Sequence, residues 1–193
     1  MEHVPAGSAL VLIDLQQAID ASYWGPRNNP DAEATIARVL AAWRAAHRPV
    51  FHVRHDSQQA GSAYRPTLPS HAFKPEALPA PGETVVGKST CSAFIRTDLQ
   101  ARLGEAAIDT LFVMGVLTHN SLEATVRHAG DLGFATHVVA DCCWAVDKRL
   151  RDGRIIPAEL VHELSLANLD GEYAQVIEAD ALLARLALDI RPD

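Results

Sequence analysis

Ala9-Leu-Val-Leu-Ile13 is apolar at every position. A strand with one solvated face alternates apolar and polar side chains, whereas a strand covered on both faces does not. Leu111-Phe-Val-Met114 is equally uniform, and Val50–Val53, Thr84–Val86 and Thr136–Ala140 are weaker versions of the same pattern. Tyr173–Ile177 suits a last strand. Such runs belong to a parallel sheet sandwiched between helices.

Helical stretches separate the runs. Asp31 suits the cap of a helix reaching about His47, with Ile36, Leu40 and Trp43 on one face and Pro49 ending it. Thr97 or Asp98 caps a short helix before Leu103 and Gly104. Asn120-Ser-Leu-Glu123 has the form of a capping box opening a helix to about Leu132, and Gly133 stops it. Pro157 suits the first turn of a helix closed near Gly171, and Ala181–Leu188 suits a final one. The alternation predicts an α/β fold: a three-layer, doubly wound sheet of about six parallel strands with right-handed crossovers. With 193 residues, the expectation is a single domain spanning 1–193.

One stretch breaks the rhythm. His55–Gly82 holds Pro66, Pro69, Pro75, Pro79 and Pro81 and predicts little regular structure. A loop this long serves as a lid, a binding loop or an oligomer contact, or else simply packs on the surface.

Composition narrows the function. Apolar residues at 48% and charged residues at 21% describe a globular protein with a full core. A net charge of −7 without a basic run argues against a nucleic-acid partner. No apolar stretch is long enough for a bilayer, so no membrane association is expected. The start, Met1-Glu2-His3-Val4-Pro5, lacks the features of a signal peptide. Three cysteines without a CxxC pair argue against a disulfide framework, and a reducing cytoplasm is the expected home. Cys142 and Cys143 read as small buried residues.

Ligands in open α/β sheets bind beyond the carboxyl ends of the strands. Asp14 follows the first predicted strand, His55 and Asp56 the second, Lys88 the third, Gly115–Ser121 the fourth and Asp141 the fifth. Asp14 and Lys88 end apolar runs, where a lone charge is expensive, so mutual pairing is the natural remedy. Plainer readings stand beside these. Asp14 could cap a turn, Lys88 could be solvated, and His55 and Asp56 could be structural. For Asp141 the preferred reading is that it holds its own turn.

Three segments then carry a resemblance. Ala9-Leu-Val-Leu-Ile-Asp14-Leu-Gln16, Gly87-Lys88-Ser-Thr-Cys-Ser-Ala-Phe94 and Gly115-Val-Leu-Thr118-His-Asn-Ser121 resemble the isochorismatase-like cysteine hydrolases. The likeness continues through Glu123-Ala-Thr-Val-Arg127, Leu132-Gly-Phe134 and Val139-Ala-Asp141, in the family's order. It implies a Rossmann-like sheet with an Asp, Lys, Cys triad. Asp14 would be the general base, Lys88 the cation and position 121 the nucleophile. A cis peptide is implied between Val116 and Leu117, with the amides of Leu117 and Ser121 as oxyanion hole. The family also implies a small-molecule substrate and a homo-oligomer, dimer or tetramer.

The sequence departs from the family at the nucleophile, where Ser121 replaces cysteine. A free carboxylic acid and a free thiol already differ by about 4.6 pKa units, roughly 6 kcal/mol, and a hydroxyl is much harder to deprotonate. Three explanations stand open: an engineered replacement, a natural hydroxyl or directly activated water, or chemistry that needs no nucleophile here. Isochorismatases within the family lack the cysteine and cleave a vinyl ether with the Asp as acid. Cys91 lies outside the nucleophile turn and is a poor substitute.

Nicotinamidases of this family bind metal through Asp-x-His and a later His. Here the stretch reads Val53-Arg-His55-Asp56-Ser57, with His71 later, so no metal and no cofactor are expected. The pattern resembles the metal-free small-amide hydrolases. Gln16, Trp24, His55, Phe94, His119 and Asn120 are candidate pocket residues, and so is Tyr23; for the aromatics, ordinary packing is the competing reading. Trp144 belongs either to this chain's rim or to a neighbouring subunit. The leading expectation is hydrolysis of a C–N bond in a small amide or ureide. Vinyl ether hydrolysis and a catalytically inactive binding or scaffold protein are the alternatives.

Overall fold

The computed structural model describes residues 3–189. The expectation drawn from the chain's start rests partly on Met1 and Glu2, which lie outside them. The uniformly apolar runs form the centre of one sheet. Its strands are β1 (Ser8–Ile13), β2 (Val50–His55), β3 (Thr84–Lys88), β4 (Thr110–Val116), β5 (Ala135–Trp144) and β8 (Gln175–Ile177). All pair in parallel, in the order β3-β2-β1-β4-β5-β8. The order reverses between β1 and β4, which places a crevice at their carboxyl ends. Every residue of β1 and β4 is buried, as apolarity on both faces requires.

Helices α1 (Ala32–Ala45), α2 (Leu99–Glu105), α3 (Glu123–Asp131), α4 (Ala158–Leu169) and α5 (Ala179–Asp189) cover the sheet. The predicted face of α1 is buried at Ile36, Leu40 and Trp43, with Val39 added. Trp43 packs on Phe112 at 5.3 Å between ring centroids, and its indole N–H donates to the Pro49 carbonyl at 2.8 Å. Among the described residues, no helix is long and apolar enough to cross a membrane.

Four expectations change. β5 runs four residues beyond Ala140, because Asp141 is an interior strand residue: its carboxylate accepts the Ala179 N–H at 2.8 Å and so caps α5 rather than its own turn. A hairpin, β6 (Lys148–Arg149) with β7 (Ile155–Ile156), occupies a stretch with no strand pattern. Asn120-Ser-Leu-Glu123 is not a capping box. Thr118–Leu122 forms a π-turn leading into α3, and Glu123 accepts from Ser165 and Arg127 instead. Trp144 is neither rim nor interface but core, with Arg27 stacked on its ring at 4.2 Å.

The 55–82 segment contains two short 3-10 turns, Pro69–His71 and Pro75–Ala77. It is anchored by the Lys74 ammonium, which is 2.6 Å from Asp20.

Candidate active site

Asp14 leaves β1 in the left-handed region, with φ at 52°, and its N–H donates to Val53 O at 3.0 Å. That turn aims the carboxylate across the tip of β2 toward β3. There the Lys88 side chain, fully buried, brings Nζ to 2.7 Å from Asp14 Oδ2. Burial of the pair is tolerable because each charge has its partner in place. Asp14 Oδ1 is also buried yet has no hydrogen-bond partner among the described residues.

β4 delivers the third group. The Val116–Leu117 peptide is cis, and the π-turn follows it directly. Ser121 therefore lies at the head of the helical segment, with Oγ 3.3 Å from Lys88 Nζ. Thr125 Oγ1 donates to Ser121 O at 2.7 Å. From α4, Ser165 Oγ, whose hydrogen goes to Glu123, lies 3.1 Å from Thr118 O, and His162 Nδ1 lies 2.8 Å from Thr118 Oγ1. The turn is thus braced from a separate helix.

These tips open on a cavity of about 620 Å³. Asp14, Leu117 and Ser121 line it, together with the expected Trp24, His55 and Asn120, and Tyr23. Gln16, Phe94 and His119 do not. Gln16 is fully buried, because its carboxamide is spent on backbone: it accepts from His55 N at 2.7 Å and donates to His55 O and His71 O. Phe94 stacks on Phe134 and against His128. His119 turns away behind the π-turn, where burial and nearby Lys148 push its imidazole down to about 4.

The sequence reading missed the wall opposite. Gln58, Gln59, Ser62 and Tyr64 of the 55–82 segment line the cavity. The Tyr64 hydroxyl donates to Asp14 O at 3.3 Å, and burial pushes its phenol well above the ordinary value. Cys91 also lines the cavity, with Sγ 3.2 Å from Asn120 Oδ1, so it stands nearer the site than its sequence position suggested. No motif marks these residues.

In the segment after β2, His71 Nε2 is 2.6 Å from Asp56 Oδ1 and Arg54 donates to the same oxygen. Among the described residues, no cluster of three or more His, Cys, Asp or Glu side chains is placed to share a metal ion.

The strand order is that of a doubly wound α/β fold, with Asp14 and Ser121 lining one cavity and the buried Lys88 in contact with both. Residues 8–181 match the isochorismatase domain. The crystal structure of a hydrolase of the isochorismatase family from Chromobacterium violaceum superposes with a TM-score of 0.92 at 51% identity, covering 96% of this chain and 97% of that one. The isochorismatase family protein YrdC of Bacillus subtilis is 33% identical over 175 residues, covering 91% of this chain and 94% of that protein. The ureidoacrylate amidohydrolase RutB of Methylobacterium radiotolerans is 26% identical over 222 residues, covering 97% and 82%. The chain belongs to the isochorismatase family of hydrolases.

Proposed function

We propose that this protein hydrolyses a C–N bond in a small amide or ureide, with Ser121 as the attacking residue. The observation that carries the reading is the Lys88 ammonium, placed between the Asp14 carboxylate and the Ser121 hydroxyl. The amidohydrolase relative, alignable over nearly the whole chain, supports the bond class.

In this reading Ser121 Oγ bonds to the substrate carbonyl carbon while its proton passes to Asp14. The C–N bond then breaks, and Asp14 returns the proton to the departing nitrogen. Water attacks the resulting ester, gives a proton to Asp14, and Oγ leaves with that proton. Lys88 holds positive charge beside the oxygen that turns negative, which matters more for a hydroxyl than for a thiol. The amides of Leu117 and Ser121 hold the carbonyl oxygen. A homo-oligomeric assembly belongs to the same reading.

Release of amine or ammonia from a panel of small amides and ureides tests it, together with mass spectrometry of the stalled protein. The expected result is turnover, an acyl mass on Ser121, and loss of activity in D14N, K88A and S121A. Full activity in S121A would remove Ser121 as nucleophile. No turnover of any amide by either the natural protein or S121C would remove the amidase reading.

One observation favours a second reading. Asp14 Oδ1, buried and without a hydrogen-bond partner among the described residues, is where an acidic proton would sit if Asp14 protonated a vinyl ether. Isochorismate turnover that survives S121A and is lost in D14N would establish it. Ligand-induced thermal shifts without turnover would point to a binding protein instead.

A further inference from the structure

Four acceptors surround the Lys88 ammonium, which has three hydrogens to give. They are Asp14 Oδ2 at 2.7 Å, Thr90 O at 3.1 Å, Ser121 Oγ at 3.3 Å and His55 Nδ1 at 3.3 Å. An ammonium has no lone pair, so the His55 nitrogen facing it can only accept. A His55 Nδ1 that takes one of these hydrogens is bare, which leaves the ring neutral with its proton on Nε2.

His55 is held in that place with care. Gln16 grips its main chain on both sides, accepting the N–H at 2.7 Å and donating to the carbonyl at 3.2 Å. The Tyr64 ring meets the imidazole edge-on, 5.5 Å away at 85°. The charged and titratable groups around the ring are Lys88 from β3, Asp14 beyond β1, and Asp56 and His71 from the following segment, besides Tyr64. Burial and Lys88 disfavour a charged ring, and the two carboxylates only partly offset them, so its pKa falls below the ordinary value of 6.5.

We propose that His55 is a positioning residue whose neutral Nδ1 fixes the Lys88 ammonium between Asp14 and Ser121, and whose protonation disables the site. This rests on the hydrolytic role given above to Lys88. A charged His55 would set two cations against each other across the present contact and push Lys88 out of line. Activity therefore falls as pH drops through the His55 pKa.

Two measurements test this on the intact protein. The first is the pH profile of kcat/KM for the natural protein, H55N and H55A with any amide it hydrolyses. Asparagine keeps an acceptor at the δ position and cannot titrate. H55N is expected to keep a higher kcat than H55A and to lose the His55 acid limb. H55A is expected to lose about tenfold or more in kcat, with little change in KM. An acid limb unmoved in H55N, or H55A as active as H55N, would overturn the proposal.

The second needs no turnover, so it separates failure of this inference from failure of the hydrolytic reading. Long-range 15N–1H spectra of the ring should show a bare Nδ1 and a protonated Nε2 at neutral pH. The His55 pKa should rise in K88M, which removes the facing cation. A proton on Nδ1, or a pKa indifferent to K88M, would overturn it.

Discussion

Gly115 faces Ile13 across the β1–β4 pair so closely that a methyl group on it would collide with the Ile13 carbonyl oxygen and amide nitrogen. Its φ of +122° is also one that L side chains rarely adopt. G115A is therefore expected to lower stability by about 3 kcal/mol or more, since backbone offers no flexible end to give way. Gly133, at φ +88° with open space around its Cα, should cost only about 1 kcal/mol as alanine. Chemical unfolding of G115A and G133A side by side checks the contrast.

Removing one half of the Asp14–Lys88 pair should hurt more than removing both. K88M leaves a buried carboxylate without its cation, for an expected loss of about 3–5 kcal/mol near neutral pH. The double variant D14N/K88M should recover much of that stability. Denaturant midpoints of the two proteins decide it, independently of any activity.

Acid stability has an identifiable contributor at the far end of β2. Burial pushes the Glu83 carboxyl up, but Arg44, the Ala80 N–H and His52 outweigh it and hold Glu83 at about 2, against an ordinary 4.5. A depressed carboxyl pKa gives stability that is present above the unfolded value and lost as pH falls through the folded one. The natural protein should therefore lose stability between about pH 4.5 and 2 more steeply than E83Q. Unfolding curves across that window test the difference in slope.

The three thiols should separate cleanly. Cys91 is exposed and lines the cavity, whereas Cys142 and Cys143 are wholly buried, and burial pushes both of their thiols far up. Ellman titration is expected to count one thiol per chain in the folded protein and three after denaturation. A bound substrate analogue should slow the first.

What could be read in advance follows a physical line. The strands at the sheet centre were legible because burial on both faces leaves no polar position. Asp14 and Lys88 were legible because a charge ending such a run needs a partner. β5 was cut short for the same reason applied wrongly: Asp141 looked like a strand end, but its carboxylate is satisfied by the Ala179 N–H from another part of the chain. Gln16 and His119 are near the site in sequence yet face away from the cavity. In a turn, one residue's step decides the direction, and no periodicity records it. Tyr64 and the polar residues of the 55–82 segment were invisible because their place depends on how a proline-rich loop folds back over the sheet.

That loop has a consequence for how such proteins diversify. Asp14 and Lys88 stand at strand tips and Ser121 in the turn after β4, while much of the cavity wall is drawn from the connector between β2 and β3. Exchanging Gln58–Ser62, which touches neither Asp14, Lys88 nor Ser121, should alter which molecules are admitted while leaving the contacts of Lys88 with Asp14 and Ser121 as they are.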